Sequence, residues 1–160
     1  MRKLKVQFTC PTESKVFSQV IKLVQGTDFS HVRFFWVNSV GVPIVYEAGG
    51  SSVRFMGPIA QSHHPVRVVK EFSLDVSKEQ YRSLVKICMT YAGIEYGRLQ
   101  ILKILYRLIT NSSKGGDGED TMVCSELSSR ILHALGHLKE NTDFDQITPK
   151  ELYEWCMKNL

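Results

Sequence analysis

Two residues of this chain have the types and settings that covalent catalysis needs: Cys124, in GEDTMVCSELSSRILHAL, and His31, in TDFSHVRFFWV. A thiol attacks a carbonyl efficiently only as thiolate, so it needs a base within reach in space, at any distance in sequence. Asp120 or Thr121 is placed to cap the amphipathic helix that follows, which puts Cys124 in its first turn. There, unpaired backbone amides and the helix dipole favour the thiolate. The same amides can hold an oxyanion on an attacked carbonyl. Behind the thiol, Leu127, Ile131, Leu132 and Leu135 recur at helical spacing and would anchor the helix in the core.

His31 opens a segment that alternates, with Val32, Phe34 and Trp36 on one face and His31, Arg33, Phe35 and Val37 on the other. Glu47 ends the neighbouring apolar run PIVYEA, and Asn38-Ser39-Val40-Gly41 between the runs has hairpin-turn chemistry. Parity then decides whether the carboxylate meets the imidazole. A loop of residues 38–40 pairs His31 with Glu47 directly, one of 38–42 makes them diagonal neighbours, and an even loop sends them to opposite faces. In either odd register Glu47 can fix the imidazole tautomer and stabilise the imidazolium.

The ordered set DFSHV, VYEAGGSSVRF, VCSEL and TPKEL resembles the circularly permuted NlpC-type papain-like hydrolases, the YiiX-like group. In that group the histidine strand precedes the cysteine helix. The resemblance covers roughly residues 28–155 and implies Cys124 as nucleophile, His31 as general base and then acid, and Glu47 as the orienting group. It also implies that Tyr96, in GIEYGRL, lines the site or assists the oxyanion as a substrate-binding residue. An acidic residue often follows that tyrosine in the group; here Gly97 does. Glu126, inside the CSEL motif, is read first as a surface residue favoured by the helix dipole.

The elements that must position these residues read as follows. KLKVQFTC is a strand ended by Pro11, and Thr12 or Ser14 can cap a helix over KVFSQVIKLVQ, closed by Gly26. HVRFFWV, PIVYEA, SSVRFMG and PVRVVKEFSL are strands, with a turn at Gly49-Gly50. From Ser77 the texture becomes helical: KEQYRSLVKICMTYA, YGRLQILKILYRLIT, the Cys124 helix, and a last helix with Thr148 as cap and Pro149 at its first position. Residues 111–120 form a polar, glycine-rich loop, a candidate lid beside Cys124. Strands first and helices later predict an α+β fold with a mostly antiparallel sheet or partial barrel, in one domain over 1–160. The resemblance makes that domain papain-like, in permuted order.

Bulk properties set the limits. The chain has 160 residues, 43% hydrophobic and 22% charged, with a net charge of +4 and no charge runs. That is an ordinary globular composition, and no nucleic-acid motif appears. No apolar run approaches the roughly 18 residues of a spanning helix. The start, MRKLKVQFTCP, reads as a strand and not as a signal peptide, which gives a cytoplasmic expectation. Of the four cysteines, Cys10, Cys88 and Cys156 are read as small buried hydrophobes. His63-His64 and the pair His133 and His137 lack companions at metal-ligand spacing, so neither metal nor cofactor is expected. YGRLQILKILYRLI sets Arg98, Lys103 and Arg107 among leucines and isoleucines. Core packing with snorkelling bases is the first reading, and peripheral membrane contact or an acyl-chain wall the second.

The reading is therefore a cysteine hydrolase, amidase- or peptidase-like, acting on an amide, ester or thioester of a peptide, acyl or lipid-type substrate. A lipid acyltransferase or thioesterase, which the wider superfamily with its lecithin-retinol acyltransferase-like members would allow, and a non-catalytic binding module stay open. So does the oligomeric state.

Overall fold

The chain alternates apolar and polar residues through its first strand because that strand lies centrally in a sheet. In the computed structural model, which describes residues 1–13, 16–110, 121–139 and 143–160, β1 (Arg2–Pro11) buries Leu4, Val6 and Phe8 completely. It pairs antiparallel on one side with β2 (His31–Val37) and on the other with the long edge strand β5 (Val66–Val76). Next come β3 (Pro43–Gly49) and β4 (Ser52–Met56), also antiparallel. Two short strands, β6 (Glu95–Tyr96) and β7 (Thr121–Met122), run parallel to each other and complete an open sheet in the order β5-β1-β2-β3-β4-β6-β7. Mixed α and β structure on a mostly antiparallel sheet is what the sequence predicts. The sheet keeps two separate edges.

Among the described residues six α-helices accompany it: α1 (Val16–Gln25), α2 (Pro58–Ser62), α3 (Lys78–Tyr91), α4 (Arg98–Thr110), α5 (Cys124–Ala134) and α6 (Pro149–Asn159). Local chemistry explains the ends of two. Ser77 and Gln80 form a reciprocal capping box on α3, and Thr148 and Glu151 form another on α6, with Pro149 at the first helical position. The expected cap on α5 is different. Val123 stands at its N-cap with no side-chain hydrogen bond, Thr121 lies in β7, and Asp120 falls outside the described residues. Ser14 and the loop 111–120 also lie outside them.

α5 packs its Leu127, Ile131 and Leu132 against Val32, Phe34, Trp36, Tyr46 and Ala48 of the sheet, forming the main core. Burying each such side chain contributes about 1.5–3 kcal/mol. A smaller second core joins Ile21 of α1 to Ile101, Ile104 and Leu105 of α4, over Val123. For α4 the first reading is core packing with snorkelling bases, and the second membrane contact or an acyl-chain wall. Only Gln100, Ile101, Ile104 and Leu105 are buried, whereas Leu99, Leu102, Tyr106 and Ile109 are exposed. α4 has apolar residues on more than one stripe, and among the described residues one stripe finds protein to cover it. No helix among the described residues is long and apolar enough to cross a membrane.

Candidate active site

Register brings the carboxylate to the imidazole. Val37 pairs with Pro43 and Phe34 with Tyr46, so the loop spans residues 38–42 and His31 and Glu47 are diagonal neighbours on one face. Asn38 closes this loop: its Oδ1 accepts from the N–H of Val40 and of Val42, and its own N–H donates to the Val42 carbonyl. Gly41, at φ +81°, supplies the left-handed residue. The result is a hydrogen bond of 3.0 Å from His31 Nε2–H to Glu47 Oε2. With Nε2 occupied, Nδ1 is the nitrogen left for the thiol.

Across the next hairpin, Glu47 faces Arg54 directly, because a two-residue turn at Gly50-Ser51 sets Gly49 opposite Ser52. Arg54 donates to Glu47 Oε1 from Nη2 at 2.9 Å and from Nε at 3.3 Å. Glu47 is thus shared between an imidazole and a guanidinium, both on the polar face of the sheet. Sequence reasoning missed Arg54, although the turn signal at Gly49-Gly50 carried it. The same face buries Gln7, Thr9 and Arg33, with Arg33 Nε donating to Gln7 Oε1 at 2.9 Å. Gly49 lies so close that a Cβ there would come within 3.2 Å of Glu47 Oε1 and 3.3 Å of His31 Cε1.

Cys124 is the first residue of α5 and is only 4% exposed. Its thiol is coupled electrostatically to the His31 ring, and the backbone N–H groups of Val32 and Ser125 favour its thiolate. The Tyr96 hydroxyl is coupled electrostatically to the same thiol. Burial by itself would raise the thiol pKa, but the charge of His31, its hydrogen bond and the two backbone amides bring it below the usual thiol value. Burial would lower His31, yet the Cys124 charge and hydrogen bond, followed by those of Glu47, raise it to about 10. Glu47 is likewise pushed up by burial and held down, to about 2, by His31 and Arg54. Both directions describe a thiolate–imidazolium pair with a carboxylate behind it. Burial first, and then the charges of Cys124 and Glu47, keep Tyr96 protonated as a donor.

Glu126 corrects the surface reading. It is buried, accepting from Gln100 Nε2 at 2.8 Å and from Arg130 Nε at 2.9 Å. Burial raises its pKa despite these partners. The same network explains Gly97: a Cβ there would stand 2.6 Å from Gln100 Oε1 and 2.9 Å from Thr121 Oγ1. Gln100 occupies the space that a side chain after Tyr96 would need.

A groove of about 310 Å³ reaches His31, Glu47 and Tyr96, with Thr9, Ser18 and Ser30 along it. Thr9 pairs across the sheet with His31, and its fully buried hydroxyl has no hydrogen-bond partner. Cys124 itself borders a separate apolar crevice of about 20 Å³ beneath Ile21, Ile101, Ile104 and Leu105. The other three cysteines are buried free thiols, as expected. Among the described residues, no group of three or more His, Cys, Asp and Glu side chains could hold a metal ion.

No family model matches the sequence, and no curated protein does. The chain is similar in structure to the metalloprotein yiiX from Escherichia coli O157:H7 (DUF1105), known from a crystal structure. The two share 21% sequence identity at a TM-score of 0.56, over 96% of this chain and 78% of that one. At that identity the likeness shows a shared fold.

Proposed function

We propose that this protein is a cysteine hydrolase of the permuted papain-like kind, with Cys124 as nucleophile, His31 as base and acid, and Glu47 as orienting group. The observation that carries the reading is the His31 ring bonded through Nε2 to Glu47 and coupled by its charge to the Cys124 thiol. A chance cysteine in a core has no reason to lie against a histidine whose far nitrogen is tied to a carboxylate. Cys88 and Cys156 illustrate the contrast: burial raises both thiols, and no cation opposes it.

In the proposed reaction the Cys124 thiolate attacks the carbonyl carbon of an amide, ester or thioester. A sulfur–carbon bond forms, and the carbonyl electron pair moves onto oxygen, facing the first-turn amides of α5. Collapse of this tetrahedral species breaks the bond to the leaving group, which takes its proton from the His31 imidazolium. The neutral imidazole then draws a proton from water, whose oxygen displaces the sulfur and releases a carboxylic acid. Tyr96 is placed to steady the sulfur while its charge changes.

The structural neighbour is described as a metalloprotein. Here the donors of His31 and Glu47 are turned to each other, to Arg54 and to the thiol, and the reading routes no step through a metal.

The test is labelling with an electrophilic acyl probe. Wild type should label at one cysteine, Cys124→Ala should not label, and His31→Ala should label about 100-fold more slowly, the usual loss with a general base. Equal labelling of all three proteins would overturn the mechanism.

A further inference from the structure

We propose that the outer faces of α1 and α4 form a docking surface for an anionic lipid bilayer, set directly over the thiol. The observation behind it is apolar surface that no other described residue covers. On α1, Val16 is 82% exposed and Leu23 84%, with Val20 on the same stripe. On α4, Leu99 is 74% exposed and Ile109 69%, with Leu102 and Tyr106 between them. Positions 16, 20 and 23 follow one helical face, and so do 99, 102, 106 and 109. On α4 the stripe adjoins the buried side of the helix, and on α1 the partly buried Phe17 and Val24 link it to Ile21, which meets Ile101, Ile104 and Leu105. Apolar surface therefore runs from the contact between the helices out to solvent on both.

Charge selects the occupant. The two helices carry Lys22, Arg98, Lys103 and Arg107 and no acidic residue. Arg98 and Lys103 are exposed beside the leucines. Aliphatic side chains flanked by Arg98 and Lys103, with no carboxylate on either helix, match acyl chains beneath anionic headgroups. A second copy of the chain would set these bases against the same bases. Position gives the surface a use: the helices that would meet the bilayer are the ones that roof the crevice at Cys124. Residues facing inward from that roof, Ile21 and Ile101, are one helical turn or less from residues facing out.

Flotation of the full chain with lipid vesicles tests this. Wild type should float with phosphatidylcholine vesicles containing one-third phosphatidylglycerol and stay behind with phosphatidylcholine alone, and added salt should weaken the binding. The double variant Leu23→Asp, Leu102→Asp should bind at least about tenfold more weakly, since it removes apolar contact and adds like charge. Both positions are exposed, so its circular dichroism and melting temperature should match wild type. Lys103→Glu should weaken binding to the anionic vesicles. Cys124→Ala should float like wild type, which separates docking from the proposed chemistry. Failure to float with either vesicle, or unaltered flotation of the double variant, overturns the proposal. So does a concentration-dependent dimer in wild type that the double variant loses, since a second copy would then be the occupant.

Discussion

At Cys124, burial and local charge pull in opposite directions. Removing the thiolate from water disfavours it, and the cation at His31 together with the amides of Val32 and Ser125 restores it. The contest can be read kinetically, because iodoacetamide alkylates the thiolate and not the thiol. In wild type the alkylation rate of Cys124 should rise through a pKa below 9.0, the ordinary thiol value. In His31→Ala the main opposing charge is gone and burial prevails, so the inflection should move above 9.0. Mass spectrometry of the labelled peptide as a function of pH separates Cys124 from Cys88 and Cys156, whose thiols burial raises. An inflection at the same pH in both proteins would mean that His31 does not set the thiol's ionisation.

Among the elements, the hairpin of β2 and β3 shows how far sequence could reach. Alternation placed His31 and Glu47 on a common face for any odd loop, but which odd loop forms depends on Asn38 folding its side chain over Val40 and Val42. That closure is a matter of backbone geometry which residue types alone leave open. α4 was less legible, since a helix with apolar residues on two stripes does not declare which one the core will take. Gly97 was opaque for another reason: its cause is the side chain of Gln100, three residues on, bridging to Glu126. This last point makes a prediction. Gly97→Ala should force the Gln100 amide away and leave the buried Glu126 short of a partner, at a cost of about 1–3 kcal/mol. Urea denaturation measures it. The second substitution Gln100→Ala, made in the Gly97→Ala background, should add less than it does in wild type, because both act on one contact. Full additivity would refute the steric account.

Across the whole molecule, the ion pair leaves a signature in stability against pH, because only a difference in bound protons between folded and unfolded chains gives a slope. Glu47 is held near 2 in the folded protein against an ordinary 4.5, so the unfolded chain binds the extra proton between these values. Stability from this group is full above 4.5 and lost as pH falls toward 2. The thiolate–imidazolium pair behaves differently. Above the native thiol pKa the folded pair holds one proton, on His31, which keeps it to about 10. The unfolded pair also holds one proton between 6.5 and 9.0, on the cysteine, so in the part of that window above the native thiol pKa the pair contributes no slope. Past 9.0 the unfolded cysteine loses its proton while folded His31 retains its own. Stability must then fall as pH rises, by about 1.4 kcal/mol per pH unit until His31 titrates. Cys88 and Cys156, raised by burial, tilt the curve the same way above 9.0, so the wild-type curve alone cannot isolate the pair. Cys124→Ser removes one titrating thiol and the charge that holds His31 high, and leaves the other cysteines in place. Urea midpoints for both proteins from pH 5 to 10, subtracted, should therefore give a difference that bends downward only above 9.0. A difference that stays level through that range would mean that the folded Cys124–His31 pair holds no proton above 9.0, against an imidazole kept protonated by the thiolate beside it.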